Sequence, residues 1–373
     1  MGVFFCVDIM DIFIFLEIFS SEGGIQSYVQ DVLQAYLSLN PSRGGKVFLL
    51  RDGVGVNNPF SGKSLEFYYL KTDSARQDRL SLAYLLLKSL IKGKAKQVYC
   101  GHINLATLTA SLCLPLGIPY TVLTYGKEVW QPLPLFKRLA LTQAKEIWTI
   151  SRYSRDRLCQ ANGINPQQVK IVPCVVDGDR FSPGAKSSLL LDKYNLRDSK
   201  VIMTVARLWS GDIYKGVDVT IRALPLILPH VPNLKYLVIG RGDDQPRLAS
   251  LAQENGVAKQ VIFAGFIPTV ELPDYYRLAD AYIMPSQEGF GIVYLEALAT
   301  GIPVVAGDGD GSADPLQDDL LGWRVPHRNP QAVAKACLEV LQGDRKDRRC
   351  QSEWLREQTL AKYSLSTLSK LLQ

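Results

Sequence analysis

The chain has 373 residues, 47% of them hydrophobic and 21% charged, which is enough apolar material for two cores and excludes a disordered chain. The net charge of +6 suits an anionic ligand, an acidic membrane surface or nucleic acid, but no long Lys/Arg block marks a nucleic-acid binder. Seven cysteines without short paired spacing argue against a disulfide framework, and three histidines, no two close in sequence, argue against a histidine-based metal site.

The first apolar stretch, Gly2 to Phe19, is interrupted by Asp8, Asp11 and Glu17. Each charge would cost about 2.5–3.5 kcal/mol at a bilayer centre, and the basic start of a signal peptide is missing. The stretch therefore reads as a buried strand over Ile12 to Phe19, with Met10 an alternative start. After Gly23-Gly24, the residues Ile25, Tyr28, Val29, Val32, Leu33, Tyr36 and Leu37 recur at threes and fours and predict a helix. Short apolar runs then alternate with helical patterns: Val47 to Leu50, Phe67 to Leu70, Val98 to Cys100, Tyr120 to Thr124, Ile147 to Ile150 and Val169 to Val172. Lys88, Lys92, Lys94 and Lys96, and then Lys137, Arg138 and Lys145, fall on helices or their exits, as solvated faces or as contacts for an anionic membrane surface.

Turn-rich sequence from Asp177 to Asp192 predicts a linker, and the alternation restarts with Val201 to Val205, Tyr236 to Ile239, Val261 to Ala264, Tyr282 to Met284 and Val304 to Ala306. The organisation expected is an N-terminal α/β domain over 1–182, a linker over 183–192, a second α/β domain over 193–347 and closing helices over 348–373 that pack back toward the first domain. Strands separated by helices imply parallel sheets covered on both faces.

In such sheets ligands sit at the carboxyl ends of the strands. Gly23-Gly24 offers close backbone approach and free amides there, or only a tight turn. Arg207 and Lys215, both after the first strand of the second half, are placed to clamp a diphosphate. Glu288 lies on the loop after Tyr282 to Met284, and Glu296 about a turn and a half inside the helix that follows, roughly 8 Å along its axis. Between them Gly289, Phe290, Gly291 and Ile292 bring amides to the helix start, where a phosphate fits. Asp308-Gly309-Asp310 and Asp177-Gly178-Asp179 read as turns, so no metal site is expected.

Two glutamates with seven residues between them, Gly-Phe-Gly-Ile-Val among these, and Gly301-Ile302-Pro303-Val304-Val305 after, resemble the signature of glycosyltransferase family 4, the retaining enzymes of the GT-B fold. Val205-Ala206-Arg207-Leu208, Lys215-Gly216, Gly240-Arg241-Gly242, Phe263-Ala264-Gly265, Asp310-Gly311-Ser312, Gly23-Gly24-Ile25-Gln26 and Val172-Pro173 match as well. The resemblance spans nearly the whole chain and is strongest from Val201 to Val325.

The resemblance implies two doubly wound Rossmann-like α/β domains facing across a cleft and a glycosyl transfer that needs no cofactor. The donor would be a UDP-, GDP- or ADP-linked sugar and the acceptor a glycan, a lipid-linked group or a small molecule. Arg207 and Lys215 would hold the diphosphate, Glu288 the transferred sugar and Glu296 the ribose. Gly24 would approach the phosphate, Gly240 would belong to the donor site, and Phe266 and Ile267 would border the base. Where the family often places His-Gly, this chain has Tyr125-Gly126, so Tyr125 would orient the sugar, and His102 stands as the histidine for the acceptor proton or as loop packing. An epimerase of the same fold and a non-catalytic nucleotide-sugar-binding protein are the other readings of this sequence. A cytoplasmic location follows from the scattered thiols.

Overall fold

A computed structural model describes residues 10–39, 41, 44–92, 95–343 and 346–373. The segment before Met10, Cys6 and Lys94 lie outside the described residues. The first of two compact units runs to Cys174 and includes Leu368–Gln373, and the second is Val175–Thr367.

The first unit is built on seven parallel strands: β1 (Met10–Phe15), β2 (Gly45–Leu49), β3 (Leu65–Tyr69), β4 (Ala95–Cys100), β5 (Tyr120–Leu123), β6 (Glu146–Thr149) and β7 (Val169–Ile171). Their order is β3-β2-β1-β4-β5-β6-β7, so the winding reverses between β1 and β4. Every strand of a covered parallel sheet is buried on both faces, which is why β1 reads as the nearly unbroken apolar run MDIFIF rather than an alternating one. β1 stops at Phe15, short of the expected Phe19. From there the chain turns onto Asp52, a buried carboxylate after β2 that accepts the amides of Ile18 at 2.6 Å and Ser20 at 2.8 Å, so these amides are lost to the sheet.

The second unit carries six parallel strands: β8 (Lys200–Val205), β9 (Leu234–Ile239), β10 (Val261–Gly265), β11 (Ala281–Met284), β12 (Val304–Gly307) and β13 (Gly322–Val325). The order β10-β9-β8-β11-β12-β13 reverses between β8 and β11. This is the Rossmann-type order, and each unit is a doubly wound α/β domain. β13 has no counterpart among the predicted strands, being a four-residue edge strand, GWRV, entered through turns.

Within the predicted linker, Ser188–Lys193 is helical. Residues 178–181 are fixed by Arg356 of helix Ser352–Lys362, whose guanidinium donates to the carbonyls of Gly178 at 2.8 Å and Phe181 at 2.7 Å and to that of Ala299 at 3.0 Å. Cys100, Cys113, Cys174 and Cys337 are buried free thiols. Among the described residues no helix is long and apolar enough to cross a membrane.

Candidate active site

In the second unit the loops after β8 and β11 meet at the point where the winding reverses, the place where open α/β sheets bind ligands. They are stitched backbone to backbone: the amide of Gln287 donates to the carbonyl of Tyr214 at 3.1 Å. Gly216, at φ +76°, passes so close to Pro285 that a Cβ there would lie 2.4 Å from its carbonyl oxygen, so only glycine allows this approach.

The contact delivers Lys215 to Glu288, and the two form an ion pair with 21% and 15% of their side chains exposed. Arg207 is fixed differently. Its Nε donates to the buried Asp212 at 2.7 Å and its guanidinium lies 5.3 Å over the ring of Trp209, while two-thirds of the side chain stays open to solvent. The pair with Asp212 leaves the two terminal nitrogens of the fork for a ligand.

Glu288 is held from beneath. Its amide donates to Asp310 at 2.6 Å and its carbonyl accepts from Gly311 at 2.9 Å, while the other Asp310 oxygen accepts the amide of Ser312 at 2.8 Å. Burial, with the charge of Glu288 adding to it, lifts the Asp310 carboxyl to about 7. The resemblance covers Asp310-Gly311-Ser312 as a match, but chain separation hides that it carries Glu288, 22 residues away.

Helix Ile292–Ala299 begins just past Gly291, and no acceptor meets the amides of Phe290, Gly291 and Ile292 among the described residues. These donors and the positive end of the helix face the same loop as Lys215. Phe290 contributes only its backbone, because its ring is buried against Tyr363 with centroids 5.6 Å apart. The amide of Gly289 is on this loop as well. Glu296 is buried, and the hydroxyl of Tyr276 donates to its Oε2 at 2.6 Å. Burial raises its carboxyl above the ordinary range, while Tyr276 and the nearby Arg180 oppose the shift.

At the end of β10 the ring of Phe266 is 46% exposed, with the Arg241 guanidinium 4.7 Å over it, and Ile267 is buried beside it. Gly240 is held by backbone packing. Its amide is taken by the carbonyl of Gly265 at 2.8 Å, and a Cβ would lie 1.8 Å from the carbonyl oxygen of Ala206. It serves the packing of β9 on β8, with no donor left for a ligand.

Gly23, Gly24, His102 and Tyr125 belong to the first unit. Gly23 and Gly24 follow β1 at the start of helix Gly24–Leu39, where the carbonyl of Gly23 accepts from Ser27 at 3.0 Å. His102 and Tyr125 follow β4 and β5, their rings 6.3 Å apart. Nδ1 of His102 accepts the amide of Asn104 at 3.1 Å and caps helix Ile103–Cys113, so the neutral ring carries its proton on Nε2. Burial, helped by Lys137 and Arg51, lowers its pKa to about 4. The hydroxyl of Tyr125 donates to the carbonyl of Gly101 at 2.6 Å, and burial raises its pKa well above 10, so its proton is committed to the fold rather than to a sugar. Asp177, expected as a turn residue, accepts the amides of Asp179 at 3.0 Å and Arg180 at 3.2 Å.

Residues 190–354 match the family model for glycosyl transferases group 1. A GDP-mannose-dependent alpha-(1-6)-phosphatidylinositol monomannoside mannosyltransferase of Mycolicibacterium smegmatis is 35% identical over 60% of this chain and 61% of that protein. The chain thus spans about three-fifths of the length of that relative. The GDP-mannose-dependent monoacylated alpha-(1-6)-phosphatidylinositol monomannoside mannosyltransferase of Corynebacterium glutamicum is 27% identical over 86% of this chain and 85% of its own. Among solved structures, a glycosyltransferase from Rickettsia africae superposes with a TM-score of 0.80 at 16% identity over 97% of this chain and 96% of that one. Anabaena HepE in complex with UDP and glucose gives 0.78 at 17% identity over 98% of each chain. The matched segment and the relatives agree: residues 190–354 are similar to the glycosyl transferases group 1 family, and the solved glycosyltransferases share the fold of the whole chain.

Proposed function

We propose that the chain transfers a sugar from a nucleoside-diphosphate donor to a hydroxyl of a lipid-linked acceptor, with retention at the anomeric carbon. The observation that carries this reading is the cluster of Arg207, Lys215, Glu288 and the free amides of 290–292 at one sheet reversal. Lys215 has three ammonium protons and spends one on Glu288, so two remain for phosphate oxygens, beside the open end of the Arg207 fork. Charge develops on the diphosphate as it leaves, and fixed donors that need no reorganisation stabilise it there.

Glu288 has Oε1 on Lys215 and offers Oε2 to sugar hydroxyls; Glu296 has Oε2 on Tyr276 and offers Oε1 to the ribose. Phe266, part exposed beneath the Arg241 guanidinium, would border the base. The bond from the anomeric carbon to the phosphate oxygen breaks, and the bond to the acceptor oxygen forms on the same face. The departing diphosphate takes the acceptor proton, so the step calls for no side-chain base. The names of the two mannosyltransferases favour GDP-mannose as donor and a phosphoinositide glycolipid as acceptor class. The buried free thiols suit the reducing cytoplasm.

Thermal unfolding with GDP, UDP and ADP tests the donor: a ligand at a hundred times its Kd stabilises by about 2.7 kcal/mol, and the ranking should put GDP first. Proton NMR of the product tests retention, with the donor's anomeric configuration expected in the product and inversion refuting it.

A further inference from the structure

Helix Ala75–Lys92 of the first unit is apolar on two sides. Leu82, Leu86 and Leu90 enter the core. Facing away from it, Leu80, Tyr84, Leu87 and Ile91 expose 71%, 64%, 37% and 65% of their surface. At 100° per residue these four fall within a sector of about 60°. Arg76 lies on one flank of the sector and Lys88 and Lys92 on the other, with the Lys88 ammonium 5.9 Å over the Tyr84 ring. The one acid of the helix, Asp78, is buried and accepts from the amide of Thr72 at 2.8 Å and from its hydroxyl.

The charge pattern extends beyond this helix. Between Arg79 and Lys145 nine Lys and Arg stand against a single acid, Glu128, although the whole chain has a net charge of only +6. Glu128 is itself committed inward, to the amides of Tyr125 and Gly126. Helix Ile103–Cys113 touches helix Ala75–Lys92 and also packs on helix Leu135–Thr142, which exposes Leu135, Phe136 and Leu139 beside Arg138.

We infer that this face of the first unit docks on an anionic lipid bilayer. An apolar stripe flanked by cations, with an aromatic ring in it, is what a helix lying in the headgroup region requires: the stripe enters the acyl boundary while Lys and Arg reach the anionic headgroups. A second copy of the chain fits less well, because pairing this face with itself brings its cations against one another. The inference rests on the surface of the first unit and goes beyond the proposed transfer reaction.

The test is co-sedimentation of the full chain with vesicles of phosphatidylcholine alone or with about one-third phosphatidylglycerol, without donor or acceptor. Binding is expected only to the anionic vesicles and should weaken as salt is raised. Each cation near such a surface is worth about 1 kcal/mol, about fivefold in affinity, so Lys88→Gln/Lys92→Gln should weaken binding by about 25-fold. Leu80→Gln/Ile91→Gln should abolish it with the melting temperature unchanged, since both side chains are exposed. Wild-type binding by this second variant, equal binding to both vesicle types, or no binding would overturn the proposal. So would a dimer without lipid that the same variant dissociates, which would assign the face to a second copy. Because no sugar donor is present, failure here leaves the transfer reaction standing.

Discussion

Replacing Glu296 by Gln takes away its charge and keeps its shape. In the native protein Oε2 receives the Tyr276 hydroxyl at 2.6 Å inside a buried pocket, and the amide oxygen of Gln can receive it equally. Glu296→Ala would instead orphan the tyrosine hydroxyl, a cost of about 1–3 kcal/mol in stability that would blur any effect on binding. What Gln loses is the charge assistance to the ligand. A hydrogen bond to a charged group contributes about 1.5–3 kcal/mol and a neutral one about 0.5–1.5, so the loss is about 1–2 kcal/mol, or roughly 5- to 30-fold in affinity for GDP. Since burial raises the Glu296 carboxyl, the fold holds the charge at a cost, and the melting temperature of Glu296→Gln at neutral pH should equal or exceed that of wild type. Isothermal titration with GDP, alongside thermal unfolding, reads both quantities. A GDP affinity within twofold of wild type in a normally folded Glu296→Gln would refute the placing of this carboxylate on the ribose.

Glu288→Gln should lower kcat about 10- to 100-fold with a smaller change in donor affinity, because its free oxygen is assigned to the reacting sugar; steady-state kinetics with equal losses in KM alone would contradict this. Asp310 has a pKa raised from 3.8 to about 7, so the folded protein binds its proton more tightly than the unfolded chain, and this stabilising contribution is complete below about pH 4 and lost as pH rises through 7. Asp310→Asn should therefore flatten the fall in melting temperature between pH 5 and 8, and an unchanged slope would remove Asp310 as its source. If Arg207, Lys215 and the amides of 290–292 supply the positive charge for the diphosphate, as proposed, EDTA should leave turnover intact; activity lost to EDTA and restored by manganese would reopen Asp308 and Asp310 as ligands.

Periodicity in the sequence was enough for the alternating strands and helices, since buried parallel strands show as short apolar runs and the helices that cover them as threes and fours. What it could not show depends on contacts between distant segments. β1 ends early because Asp52 captures the amides of Ile18 and Ser20, and nothing near Phe15 announces a carboxylate that lies beyond β2. β13 is short and bounded by turns, so its apolar residues make no pattern of their own. At the site, spacing was informative for Glu288, Glu296 and the glycines between them, because one strand–loop–helix segment carries them all. Lys215 on Glu288, Asp310 beneath it and Tyr276 on Glu296 are pairings across the fold. Gly240 and Tyr125 were expected from the resemblance, and His102 from its place after a strand. Close packing accounts for the first, a bond to the Gly101 carbonyl for the second and a helix cap for the third.

The central claim is transfer from a nucleotide sugar by the second unit, and acceptor-dependent GDP release tests it most directly. Incubated with GDP-mannose and phosphatidylinositol vesicles, the full chain should release GDP and form a mannosylated lipid. Lys215→Ala, which removes the ammonium paired with Glu288 and proposed to hold the diphosphate, should lower that rate by about 100-fold or more. Folded protein that binds none of GDP, UDP or ADP, or that turns over equally with and without Lys215, would contradict the account.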